Sequence, residues 1–590
     1  MTGLMAVSSI QGNAATMDWG VSQSGAPGIY SWQHLFNWND AGLHANPLLI
    51  PNAIGDVANL NLLELTGLQR VNLDGAVTLG ALNIGDTGGK QSYLIAAGTG
   101  GSLTLNNGGT AQITKTGLAT DVISSGVVLT DSVDINVQDG RLALNGVISG
   151  AGGFTKSGSG TLILGAAASN TYTGVTTLNN GITLAYPQGN TLNLLGATGA
   201  TQNTIVNDGA TFATANDLDN AGIGTQSSGG WGTVNEPFTI NGNGYLGQGA
   251  LRKMMGREQD TLGGAITLGS AARIQADYGT LALTGVVNVS DVLTASGAAG
   301  FVSLSGTVSG TADIVHYGTS GFRLQGNNNT YSGTITSNLG ELRADTGDTT
   351  TGNNPYDTVA AFNLRNSALR LIFPTAGGTA PNIANSRFSA TAPISMRASL
   401  INVENAAFNG TATNLFDYAL GQTFGVTTME SGGNKIYIRS ADTGSVTLTF
   451  TDLQRPNPGT TLELAIDNLT GGATAEWGAS AKHSLVNAAL EGGASVPFVG
   501  GWAFYDREFL EYDPVSGGGF GYSKLDTADQ AVDTAEASWA TGQNIRLTSA
   551  NRTLTLNTSV NSLNMRSTTG RTLAGTGVTT LEIESGGILT

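Results

Sequence analysis

The tightest constraint on this chain is that it resembles itself: GRLALNG (140–146), GTLILGA (160–166) and NGITLAY (180–186) follow one another at a spacing of 20 residues. Each segment carries two apolar residues that flank one intervening position: Leu142 and Leu144, Leu162 and Leu164, Ile182 and Leu184. A strand turns its side chains to alternate faces, so both members of a pair point the same way. A unit of about 20 residues holds two or three short strands and cannot bury an apolar face alone, but it can when stacked on like neighbours. The pattern returns at a spacing of 21 in GTLALTG (279–285), GFVSLSG (300–306) and GFRLQGN (321–327), with Leu281 and Leu283, Val302 and Leu304, and Phe322 and Leu324 as the expected inward pairs.

The two regions align without gaps. Residues 126–146 match 265–285 at an offset of 139, whereas 146–164 match 306–324 at an offset of 160, so the copies differ by 21 residues. A stack of repeats absorbs a whole added turn, whereas a globular core is too densely packed to do so. The expected fold is therefore all-β: a parallel β-helix, or β-solenoid, with rungs of about 20–21 residues. The preference for right-handed crossovers sets its expected hand.

Composition agrees with this reading. The chain has 86 Gly among 590 residues and only 11% charged residues, and its Thr, Asn, Ser, Leu and Val suit strands and turns better than helices. The net charge of −17 opposes nucleic acid and anionic membranes as partners. No cysteine is present, which excludes disulfides, thiolate metal sites and a cysteine nucleophile. No segment approaches the ~20 apolar residues of a membrane-spanning helix, and the first residues show neither a basic start nor an apolar run.

The segment GVISGAGGFTKSGSGTLILGAAASNTYTG (146–174) resembles the autotransporter-associated β-strand repeat of bacterial passenger proteins. It combines a Gly-rich turn, Lys156, the alternating strand from Thr161 to Leu164 and a closing NTYTG. A second copy, GTVSGTADIVHYGTSGFRLQGNNNTYSG (306–333), keeps NTYSG and places His316 where the first has Lys156. The resemblance implies secretion, a location outside the cell or on the outer surface of a Gram-negative-type bacterium, and a β-helical passenger. Membrane attachment would then come only through a C-terminal barrel or anchor beyond Thr590, because the chain stops within a strand-turn pattern.

Four regions are expected. Residues 1–45, with Trp19, Trp32 and Trp38, form an N-terminal cap over the open edge strand, and residues 46–345 form the β-helix with its repeats. Within these, LRKMMGREQD (251–260) reads as a short helix or an exposed loop. Residues 346–498 continue as a less regular β-rich solenoid whose register the sequence does not fix. Residues 499–590 hold an aromatic and acidic excursion and the final rungs.

Candidate chemistry is sparse. Asp506, Glu508, Glu511, Asp513 and Asp526 lie among Phe504, Tyr505, Phe509 and Tyr512, a mixture that suits calcium or a sugar ring, or else a solvated loop whose aromatics pack on the flank. His34, His44, His316 and His483 are dispersed without metal-ligand spacing, and no phosphate-binding glycine motif occurs. No catalytic residue, cofactor or resident metal is expected. The favoured function is a non-enzymatic stalk, surface layer or fibre that contacts copies of itself, surface glycans or a neighbouring cell. The alternative is a β-helical polysaccharide lyase or glycoside hydrolase, which rests on fold analogy.

Overall fold

The computed structural model describes residues 14–20, 25–40, 49–186, 193–197, 202–215, 233–326, 329–344, 356–372, 388–405, 419–440, 445–468, 483–487, 502–505, 508–513, 521–525, 530–549, 551–565, 571–577 and 579–589. These residues are all-β, and helix among them is limited to single 3₁₀ turns such as Leu35–Asn37 and Tyr245–Gly247. They divide into two compact units, Met1–Leu293 with Ala299–Val302, and Thr294–Ala298 with Ser303–Thr590.

In the first unit, short strands stack in parallel ladders. Ala111–Lys115, Thr120–Ile123 and Gly126–Leu129 make one rung, and Val133–Val137, Arg141–Leu144 and Ile148–Ser149 the next. Each strand pairs parallel with its counterpart: Ala111 with Val133, Thr120 with Arg141 and Val127 with Ile148. Phe154–Ser157 and Thr161–Leu164 continue the first two ladders. The period-two alternation explains the burial: Ala111, Ile113 and Lys115 are buried, while the residues between them face outward. Corners must be tight. Gly140, at φ +60°, lies where an added Cβ would come within 2.5 Å of the Gly117 and Leu118 carbonyl oxygens.

Leu142 stands opposite Leu162 and Leu144 opposite Leu164, all buried. The spacing of 20 places Ile182 over Leu162, but the register does not. Thr183 pairs with Leu162, and Ile182 lies beside Thr161. Leu184 therefore joins Ile163, Ala143, Ala213 and Tyr186 in an apolar cluster on the other face of these strands. The cause is the corner. Gly181, with φ +71°, takes the equivalent of Gly160, so this rung is one residue longer than the matched letters suggest.

The stretch 251–260 is not a helix but two strands joined by a short corner at which Arg257 and Glu258 are exposed. Leu251–Met255 and Gln259–Leu262 are strands, paired with Ile266–Ala276 and Thr280–Leu283. Its lysine breaks the apparent alternation, yet Lys253 is buried together with Leu251. Leu281 and Leu283 are buried opposite Asp260 and Leu262.

At the N-terminal edge of this unit, Trp38–Asp40 runs antiparallel to Thr16–Trp19, whose other side pairs with Val57–Leu60. Trp19, Trp32 and Trp38 are fully buried against one another, with ring centroids of Trp32 and Trp38 4.6 Å apart. Their indole N–H groups donate to Gln69 Oε1, the Pro51 carbonyl and the Trp32 carbonyl respectively.

The second unit has two long parallel ladders. One contains Thr334–Asn338, Ala361–Arg365, Ile394–Arg397, Ala419–Ser431, Ser445–Gln454 and His483–Asn487. The other contains Gly321–Leu324, Glu341–Ala344, Ala368–Ile372, Leu400–Asn405, Gly433–Ser440, Thr461–Asn468 and Ala503–Tyr505. The register beyond residue 345 is thereby fixed: Phe322, Leu342, Leu369, Ile401, Ile436 and Leu464 form one buried column. Corners between the ladders stack as well. Leu339, Asn366 and Ala398 each adopt positive φ between one strand and the next. The chain added between rungs at 345–360, 373–393 and 406–418 leaves a second-ladder strand and returns to a first-ladder strand. Near the end, Gln530–Val532, Asn544–Arg546, Thr558–Asn564 and Leu581–Leu589 form a further parallel sheet over Trp539, Ile545, Leu547 and Val560.

Candidate functional site

The acidic and aromatic excursion is a hairpin at backbone level. Ala503–Tyr505 pairs antiparallel with Glu508–Asp513, which pairs antiparallel with Gly521–Lys524. Phe509 and Tyr512 are buried, and Phe504 and Tyr505 are half-buried. Asp506 and Asp526 lie outside the described residues; for Glu508, Glu511 and Asp513 only the backbone is described. The hairpin brings Glu511 opposite Ser523 and Asp513 opposite Gly521.

Of the histidines, His34 is exposed beside Phe36, with ring centroids 5.6 Å apart. His316 is buried, its Nδ1 3.1 Å from Ser337 Oγ and its ring stacked on Phe322. Burial pushes the His316 imidazole down to about 4, so it is neutral at ordinary pH. His44 lies outside the described residues, and His483 is described in backbone alone. Among the described residues no three His, Asp or Glu side chains converge in a way that could hold a metal ion.

The interior of the first unit carries ionisable groups that the repeat pattern does not announce. Lys156 lies within Phe154–Ser157, pointing inward, and its ammonium donates to the carbonyls of Ser157 at 2.8 Å, Gly158 at 2.8 Å and Asn180 at 3.0 Å. Its three N–H bonds tie two successive corners together. Burial pushes the amine down to about 7, with Asp134 acting the other way. Glu236 is buried too. Its Oε1 accepts from the Thr204 hydroxyl at 3.1 Å, and Oε2 has no partner among the described residues. Burial pushes its carboxyl up to about 7, opposed by that hydrogen bond. Lys115 pairs with Asp121 and Lys253 with Asp260, all four side chains without solvent contact.

The outward face of the second unit carries charge in register. Arg323, Arg343 and Arg370 occupy successive positions of one ladder, where like charges repel unless counter-charges intervene. Glu404 accepts from Arg370 through both oxygens, at 3.0 and 2.8 Å, and Glu341 lies 3.4 Å from Arg370 and 3.5 Å from Arg343. Burial lowers the Arg370 guanidinium, but Glu404 and Glu341 outweigh it and the net shift is upward. Along the neighbouring corner runs a shallow groove lined by Gly340, Asn366, Ser367, Ala398, Ser399 and Lys435. The Lys435 ammonium sits 3.0 Å from Glu463 and 5.6 Å from the centre of the Tyr437 ring. In the first unit, the Asn83 amide donates to Asn59 Oδ1 and the Asn59 amide to the Asp18 carboxylate, each at 2.8 Å. Within each unit these polar groups recur at the repeat of the strands.

Sequence reasoning found the repeat strands and the hairpin aromatics but missed the buried Lys and Asp residues, because a charged letter within a strand reads as outward-facing. The signal that finds them is position: Asp121 stands opposite Leu142 in the ladder, where a leucine is expected. Comparison with known protein families, with characterised proteins and with solved structures finds no match for the chain.

Proposed function

We propose that the chain is a right-handed parallel β-helix of a bacterial surface protein, a non-catalytic module that acts as a stiff stalk, surface layer or fibre outside the cell. The observation that carries this reading is the parallel, residue-by-residue stacking of the segment that resembles the autotransporter-associated repeat on the rung before it: Phe154 over Val133 and Leu162 over Leu142. Such stacking builds length by repetition, and its polar faces repeat at the same interval. Copies of the same chain and surface glycans are the proposed partners, the first through strand edges and the second through the serine, asparagine and lysine groups of the corner groove.

Electron microscopy of the purified chain, paired with a screen on acidic and neutral glycans, tests this. Elongated particles that associate, and glycan retention without cleavage products, are expected. Compact particles under all conditions overturn the stalk, and release of oligosaccharides overturns the non-catalytic reading in favour of a lyase or hydrolase.

A further inference from the structure

Two lysine–aspartate pairs lie in the interior of the first unit, Lys115 Nζ at 3.2 Å from Asp121 Oδ2 and Lys253 Nζ at 3.0 Å from Asp260 Oδ2. They are not scattered accidents. Asp121 stands opposite Leu142 and Asp260 opposite Leu281, and the two aspartates are separated by the same 139 residues that separate the two repeat regions. Each lysine lies in one strand and each aspartate is the second residue of the next, so each pair spans one corner.

A dry interior disfavours two separated charges, and moving one proton from ammonium to carboxylate leaves a neutral amine beside a neutral acid. Burial supports that state by pushing the Asp121 carboxyl up to about 6, although Lys115 pulls the other way. The atoms around Lys115 are arranged for more than proton exchange. Its ammonium donates to the Thr116 carbonyl and, at 2.7 Å, to the Gly117 carbonyl, which leaves the third N–H for Asp121 Oδ2. Asp121 Oδ1 receives the Tyr93 backbone N–H at 2.6 Å. Apart from its 3.2 Å ion-pair contact with Lys115, Oδ2 has no partner among the described residues, so the two oxygens are differentiated.

We propose that Lys115 and Asp121 condense into an intramolecular amide cross-link. The third N–H proton passes to Oδ2, which frees the nitrogen lone pair for the carboxyl carbon. Attack forms the N–C bond, with negative charge developing on Oδ1, where the Tyr93 N–H stabilises it. The C–Oδ2 bond then breaks. Oδ2 departs with its proton and a second proton from nitrogen, so one water is released and the amide keeps one N–H. No oxidant, metal or cofactor enters the balance. Two carbonyls hold the amine and a backbone amide holds the acid, so the reacting groups are positioned before the bond forms. In Lys253–Asp260 the oxygen facing the amine already accepts the Thr214 hydroxyl at 2.6 Å, and the proposal is confined to the first pair.

The test is the intact mass of the full chain under denaturing conditions, with tryptic mapping. The folded wild-type chain is expected to be lighter than its sequence by one water, with no cleavage after Lys115 and a branched peptide joining Lys115 to Asp121. The double variant K115M/D121L, which replaces the pair by apolar side chains, is expected to show no deficit at this corner. A wild-type mass equal to the sequence, with cleavage after Lys115, overturns the proposal. So does a water lost elsewhere, at Asp74-Gly75 or another Asp-Gly bond. Mapping of the wild-type chain decides the matter even if the variant fails to fold.

Discussion

At the scale of the residue, the interior charges govern how stability depends on pH. The Glu236 carboxyl rises from 4.5 to about 7 on folding, so between those values the native state keeps a proton that the unfolded chain releases. Stability must therefore fall as pH rises through that window. Replacing Glu236 by Gln keeps an acceptor for Thr204 and removes the charge. Urea denaturation at about pH 5 and about pH 8 should then show E236Q more stable than wild type at the higher pH and little changed at the lower. Lys156 acts in another range: its amine falls from 10.5 to about 7, so its contribution improves as pH rises through that interval. K156M removes the donor for three corner carbonyls and should cost about 2 kcal/mol in the same assay at neutral pH. None of this was legible in the sequence, since alternation alone cannot tell an outward lysine from one whose ammonium reaches a neighbouring corner.

At the scale of the element, register decides which residues matter. Leu162 is enclosed in the leucine column, whereas Ile182 is half-buried beside Thr161. L162A should therefore cost about 3 kcal/mol and I182A about 1, read from thermal or urea unfolding. Equal losses would return Ile182 to the column. The corner glycines are a second handle. G140A adds a Cβ against two backbone carbonyls at a positive φ and should cost roughly 3 kcal/mol. The sequence showed two of the three named strands of 140–186 with their inward pairs, Leu142 and Leu144 and Leu162 and Leu164, yet it misplaced the third by one residue. Matching GTLILGA to NGITLAY by their apolar letters ignored the glycine at the corner, whereas aligning Gly160 with Gly181 gives the register found. The strands at 251–262 were obscured for a related reason, because Lys253 and Asp260 satisfy each other inside and look like surface residues in the text.

At the scale of the whole molecule, repetition makes length adjustable. Val133 pairs with Phe154, so removing residues 133–153 joins Ser132 to Phe154 with every later strand in phase. Circular dichroism and urea unfolding should show that this deletion folds, while deletion of Ile135 alone, from within a strand, lowers stability, since a one-residue slip inside a strand turns its inward side chains outward. The β-rich character and the ladders between residues 111 and 185 were readable because the rungs there are nearly equal. Those past residue 345 were not, because the chain added between Ala344 and Ala361, between Ile372 and Ile394 and between Asn405 and Ala419 breaks the period while leaving the pairing untouched. That shared point of departure has a practical consequence. Foreign peptides grafted into these connections would be presented one above another by a frame that does not depend on their sequence, so novelty can accumulate, by evolution or by design, at a place where the architecture exacts no toll.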